Sequence, residues 1–182
     1  AQVIQALQTL VSRRVDPTRG KLLTVGTIQG GTKDNIMAGQ VTMTATIRTF
    51  EPDTRETLFS EMERACGVAR ALGGDYDLTI YPGYNPVVND RGMTALVRET
   101  GVDLLGVENV REAPLEMGGE DFCYFAEEAP GCFFMLGGAT PGEEKRRHHH
   151  PLFDVDERCL PLGVALLAEV AIRYLRQASG SH

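Results

Sequence analysis

The chain has 182 residues, 42% of them hydrophobic, and a formal net charge of −7. That apolar content suffices for a real core in one domain or two small ones. The acidic balance, with Lys and Arg scattered, excludes the basic patch that a nucleic-acid or anionic-membrane partner needs. With no run of about 18 apolar residues and no charged-then-apolar leader, a soluble cytoplasmic protein is expected. Cys66, Cys123, Cys132 and Cys159 lack CxxC spacing and lie in helical or apolar surroundings. They read as buried free thiols rather than disulfides or a zinc knuckle.

Taken in order, Val3, Ile4, Leu7, Leu10 and Val11 recur at helical spacing until Asp16-Pro17 and Gly20, predicting an amphipathic helix over 1–13. The helical pattern starts at once from Ala1, which reads as a fragment or as the start of an ordered part. Residues 22–29 have the β-branched content of a strand. After a glycine-rich connection over 30–39, Val41, Met43, Ala45 and Ile47 alternate with Thr42, Thr44, Thr46 and Arg48. This is the clearest period-two pattern and predicts a half-buried strand with Thr and Arg48 on its outer face. Glu51-Pro52-Asp53 opens the next helix, with Asp53 and Glu56 in capping-box register and Leu58, Phe59, Met62, Ala65, Ala69 and Leu72 on one face. Gly73-Gly74 ends it.

Residues 75–81 alternate again through Tyr76, Leu78 and Ile80 and predict a third strand, closed by Pro82-Gly83-Tyr84-Asn85-Pro86. Helix, strand, strand, helix, strand suits a two-layer α+β unit with an antiparallel sheet, one strand short of a ferredoxin-like split βαβ. Beyond 86 the texture is that of an α/β domain: helices over 92–105 and 119–129, a fully buried strand over 131–137, and a final helix with Pro161 in its first turn. One or two strands cannot build a covered parallel sheet. This second half therefore reads as part of a larger domain.

Two stretches carry candidate chemistry. Gly118 and Gly119 let the backbone approach a ligand, and Glu120 and Asp121 fall in a predicted first helical turn; an anion-binding corner and an ordinary tight turn are both open readings. His148, His149 and His150 are consecutive, followed by Pro151 and by Asp154, Asp156 and Glu157. Imidazole with carboxylates to orient it suits metal ligation, whereas the polar run Glu143 to Arg147 suits a solvated loop. The mid-chain position is wrong for a purification tag.

Six pieces in order resemble the M20 metallopeptidase family, in its amidohydrolase branch of hippurate hydrolase and indole-acetyl-amino-acid hydrolase type. They are Leu7 to Arg13 with Asp16-Pro17, Gly30-Gly31-Thr32 with Asn35-Ile36, Thr46 to Phe50, Pro86 to Asp90, Met117 to Phe122, and His149-His150-Pro151 with Phe153-Asp154. The resemblance covers nearly the whole chain. It implies a ferredoxin-like lid or dimerisation domain over 1–84, then over 85–182 the C-terminal portion of a two-metal α/β catalytic domain. The implied activity is hydrolysis of N-acyl amino acids or similar small amides by a metal-activated water.

The family's other metal-binding positions and its Glu base lie upstream of Ala1. No catalytic residue is therefore assigned here, and the chain alone is expected to be inactive. His149 matches the last metal-binding His, with His148 and His150 one residue away. Asn35 and Arg48 match the lid residues that reach the substrate's carboxylate or the developing oxyanion, and Gly118 and Gly119 match the substrate-proximal turn. Met37-Ala38 stands where a Pro is usual, which loosens the loop that carries Asn35. The implied cofactors are two divalent metal ions, zinc or manganese, and a homodimer through the lid is an open assembly. The competing reading is a non-catalytic binding or dimerisation module of the same descent.

Overall fold

The computed structural model describes residues 1–142 and 148–179, and its chain divides into two compact units. Unit 1 comprises Ala1–Pro86 together with Met117–Glu120, and unit 2 comprises Val87–Glu116 and Asp121–His182.

Unit 1 begins with α1 (Gln2–Thr9), whose last turn widens into a π-helical segment over Leu10–Arg14. Two antiparallel strands follow, β1 (Lys21–Gly30) and β2 (Val41–Thr49), then α2 (Pro52–Cys66) and the short α3 (Val68–Ala71). Leu7 and Leu10 of the first helical stretch, Leu23 of β1, and Leu58, Met62 and Ala65 of α2 are buried in one cluster with Val15. The helical stripes anticipated for residues 1–13 and for the second helix are the stripes that close this core.

Three details differ from expectation. The capping box does not form: α2 starts at Pro52, the side chain of Glu51 at the N-cap position makes no cap bond, and Asp53 instead pairs with the Arg19 guanidinium. The same guanidinium donates to Thr54 Oγ1 at 3.0 Å, so a long-range cation has taken the acid that the cap needed. The single helix anticipated up to Leu72 is broken at Gly67, and Leu72 ends up exposed.

The third difference is the sheet, which has two strands among the described residues. Residues 75–81 are extended and alternate as anticipated, with Tyr76, Leu78 and Ile80 half-buried and Asp75, Asp77, Thr79 and Tyr81 exposed, but they pair with no strand. Side chains hold the segment instead: Leu78 packs on the core, Tyr76 Oη donates to Glu63 O at 3.2 Å, and the Arg70 guanidinium lies 4.4 Å from the Tyr76 ring centroid. Alternation reports which side meets a core and is blind to whether a neighbour takes the backbone hydrogen bonds. In β2 the apolar face is covered only toward its end: Ile47 packs against the core, whereas Val41 is exposed.

In unit 2, α4 (Arg91–Leu105) packs against α6 (Cys159–Ser179), and α5 (Phe122–Glu128) lies between them in sequence. Arg173 of α6 donates to Asp103 Oδ2 at 2.7 Å and to Glu169 Oε1 at 2.9 Å. Among the described residues no helix is long and apolar enough to cross a membrane. The apolar run Gly131–Gly137 is extended, yet it is neither a ladder strand nor fully buried: Phe133, Met135 and Leu136 are exposed. Lack of polar residues states a preference for cover on both faces, and no strand of the described residues supplies it.

Asn89 stands in for one missing neighbour. Its Nδ2 donates to Phe133 O at 2.9 Å and its Oδ1 accepts from Phe133 N at 2.8 Å, while Asp90 N donates to Gly131 O. Asp90 also caps α4 by accepting from Met93 N at 2.8 Å. The Asn89-Asp90 pair is thus a joint between α4 and the extended run. Replacing Asn89 by Ala is expected to cost about 1–2 kcal/mol, a drop of roughly 5–10 °C in Tm. A thermal melt unchanged by Asn89→Ala would reduce the pair to a solvent-exchanged contact.

Candidate active site

Unit 1 contains a corner built from four separate stretches. Period-two geometry puts Arg48 on the face of β2 opposite Ile47, and there its Nη1 donates a short hydrogen bond to Met117 O. Residues Met117–Glu120 thereby return to unit 1 although the residues on either side belong to unit 2. Gly20 makes the close packing possible: a Cβ there would lie 2.3 Å from the Phe50 ring and 3.0 Å from Met117 Cε. A Cβ on Gly119 would lie 3.3 Å from the Tyr84 ring and 3.7 Å from Arg48 Nη1, whereas one on Gly118 would meet nothing within 4 Å. Gly119 is the packed member of the pair and Gly118 the open one.

Arg48 is half-buried, and among the described residues its hydrogen-bond partner is the neutral Met117 carbonyl, with no carboxylate paired to it. A guanidinium has five donors in a planar fork, and the Met117 carbonyl engages Nη1. The cation of the corner is therefore Arg48. The anticipated helix-start contribution is not present: α5 begins at Phe122, so Gly118, Gly119 and Glu120 precede it, and Asp121 makes no side-chain cap.

Asn35 does not join the corner. It is exposed in the connection between β1 and β2, beyond the Gly30↔Val41 pair, whereas Arg48 pairs with Leu22 near the other end of the ribbon. Seven residues of strand at ~3.3 Å each separate the two ends by roughly 20 Å. Met37, in the same loop, is 94% exposed.

His148, His149 and His150 lie in unit 2 and are exposed. Each is differently engaged. His148 packs edge-on to Phe153 with ring centroids 5.3 Å apart, and His150 Nδ1 accepts from Leu152 N at 3.1 Å. His149 has φ of 67°, the sole non-glycine residue with positive φ among the described residues, and its ring makes no hydrogen bond, ion pair or ring contact there. Histidine is among the residues enriched in this left-handed region, and such outliers cluster at binding sites.

Two of the three carboxylates expected to orient an imidazole are otherwise occupied. Asp154 Oδ1 accepts from Val155 N, and Asp156 holds Arg158 through hydrogen bonds that keep its carboxyl below the usual range. Among the described residues no group of three or more His, Cys, Asp or Glu is placed to hold a metal. In donor chemistry His149 fits as one ligand, an imidazole with no hydrogen bond to either nitrogen among the described residues, and as no more than one. Residues Glu143 to Arg147, which suggested the solvated-loop reading, lie outside the described residues. The cysteines are free, as anticipated; Cys66 and Cys123 are buried, Cys132 and Cys159 half-buried, and burial pushes the Cys66 thiol up, away from nucleophile chemistry.

A model of peptidase family M20/M25/M40 matches residues 5–173. The chain belongs to this family. This M20 chain is 32% identical over 187 residues to the IAA-amino acid hydrolase ILR1-like 5 of Arabidopsis thaliana, covering 100% of itself and 43% of that protein. It is 34% identical over 179 residues to the N-acetyl-L-cysteine deacetylase of Bacillus subtilis, covering 96% of itself and 41% of the relative. Among solved structures it is similar to the Bacillus subtilis YXEP protein, a dinuclear metal binding peptidase from the M20 family, with a TM-score of 0.74 and 27% identity over 96% of this chain and 45% of that one. The M20 chain thus spans less than half the length of these relatives.

Sequence reasoning passed over one residue of the corner. Tyr84 sits in Pro82-Gly83-Tyr84-Asn85-Pro86, which was legible only as a breaker, and spacing along the chain carries no signal that its ring meets Gly119, thirty-five positions on.

Proposed function

We propose that this chain is the lid domain, residues 1–84, and the C-terminal portion of the catalytic domain, residues 85–182, of a cytoplasmic metal-dependent hydrolase of N-acyl amino acids or similar small amides. The observation that carries the reading is Arg48: a half-buried cation, tied to Met117 O and without a carboxylate partner among the described residues, beside the open Gly118. Relatives named as IAA-amino acid hydrolase and N-acetyl-L-cysteine deacetylase support the substrate class, and the dinuclear metal binding neighbour supports the cofactor.

In this reading Arg48 holds the substrate's carboxylate, or the oxyanion that develops from its amide carbonyl, through donors that Met117 O leaves uncommitted. Gly118 and Gly119 keep the backbone low enough for the ligand to sit against it, and Asn35 is a separate substrate-facing residue of the hairpin loop. His149 supplies one imidazole nitrogen to a divalent metal ion. Zinc or manganese bound there would polarise the amide carbonyl and lower the pKa of a bound water. No general base is assigned to this chain. A ferredoxin-like form for residues 1–84 and a homodimer formed through them belong to the same proposal.

The lack of a three-donor cluster among the described residues favours inactivity of the isolated chain. Turnover of hippurate, read together with bound metal, is expected for the full-length gene product and not for residues 1–182 by themselves. Appreciable hydrolysis by the 182-residue chain would overturn the assignment of the missing ligands to another segment. A full-length product that binds no metal and hydrolyses no amide would leave the non-catalytic module as the better reading.

A further inference from the structure

We infer that Tyr84 is a specificity-determining residue of the Arg48 corner, selecting the side chain of the amino-acid half of the substrate. The inference deepens the function proposed above and rests on it. Gly119 is the geometric link: a single Cβ built there would be in tight contact with the Tyr84 ring at 3.3 Å and in ordinary contact with Arg48 Nη1 at 3.7 Å. The ring and the guanidinium therefore both stand beside one backbone position. Tyr84 is 53% exposed, so a broad part of its surface faces outward rather than into the core.

The chemistry of the ligand follows from this spacing. In an N-acyl amino acid the carboxylate and the side chain leave the same carbon. A molecule whose carboxylate lies on Arg48 thus presents its side chain to whatever stands beside the guanidinium, and that neighbour is an aromatic ring. Aromatic surfaces favour aryl and branched aliphatic groups and give a hydrogen of glycine nothing to bury. Arg48 then selects for the acid, and Tyr84 for a bulky apolar residue attached to it. Gly119 keeps the gap between them open.

The test uses the full-length enzyme with N-benzoylphenylalanine and N-benzoylglycine, which share their acyl group and their carboxylate. Tyr84→Ala is expected to lower kcat/KM for the phenylalanine conjugate about 10-fold, chiefly through KM, and to leave the glycine conjugate within about twofold. Tyr84→Phe, which retains the ring, is expected to keep both rates, and a thermal melt of each variant reports folding independently. Equal losses on both substrates would mean that Tyr84 serves the framework of the corner, and unchanged rates on both would mean that it meets no part of the substrate; either overturns the inference alone. A wild-type enzyme that hydrolyses no N-acyl amino acid at all overturns the underlying function and this inference with it.

Discussion

Replacing His149 by Ala in the full-length protein is expected to remove bound metal and hydrolysis together, with the rate falling by at least about 100-fold. Outer partners of metal ligands cost 10–100-fold when removed, and loss of a ligand itself should exceed that. The choice among three adjacent histidines is made by their engagement. His148 packs edge-on to Phe153 and His150 has Nδ1 occupied by Leu152 N, while the ring of His149, held at φ 67°, has no partner among the described residues. His148→Ala and His150→Ala are accordingly expected to retain metal. Inductively coupled plasma analysis of the three purified variants decides the matter: full occupancy in His149→Ala would remove the residue from the ligand set, and depletion in a neighbouring variant would shift the assignment by one position.

Arg48→Met should reduce kcat/KM for N-acyl amino acids by about 100-fold, because a charge-assisted pair is lost and the ligand's anion is left facing an apolar side chain. Substrate amides lacking the carboxylate make a sharp comparison. If Arg48 binds the carboxylate, their turnover changes little in the variant; if it stabilises the developing oxyanion, they lose as much as the acids do. Arg48→Lys keeps the charge without the fork and is expected to recover only part of the rate. Equal rates for wild type and Arg48→Met on every substrate would leave the guanidinium with the single task of fastening Met117 O.

Much of unit 1 was legible in its residues because the signals were periodic and local. Leu7 and Leu10, then Leu58, Met62 and Ala65, recur at helical spacing and form the core that this spacing anticipates. Thr42 to Arg48 alternate and form β2. The failures share one cause, namely that a partner distant in sequence took a group whose local rules pointed elsewhere. Arg19 took Asp53 from its capping box, and side-chain anchors on Glu63 and Arg70 held residues 75–81 without a ladder. In the candidate site, residue types and order identified Arg48, Gly118, Gly119 and His149 as positions to inspect. Tyr84 had no such signal, and the placement of Asn35 and Arg48 toward opposite ends of the β1–β2 ribbon is a property of strand register, not of motif.

Met117–Glu120 makes unit 1 discontinuous: its residues arrive in two instalments, separated by thirty that fold elsewhere. A gene cut once after Pro86 therefore yields something other than this unit, since Arg48 loses the carbonyl it fastens and the Phe50 ring loses Met117 beside Gly20. Recombination between homologues meets the same restriction. Exchange at the first boundary transplants the cation without its acceptor, so the strip and the strand are expected to be inherited as a pair.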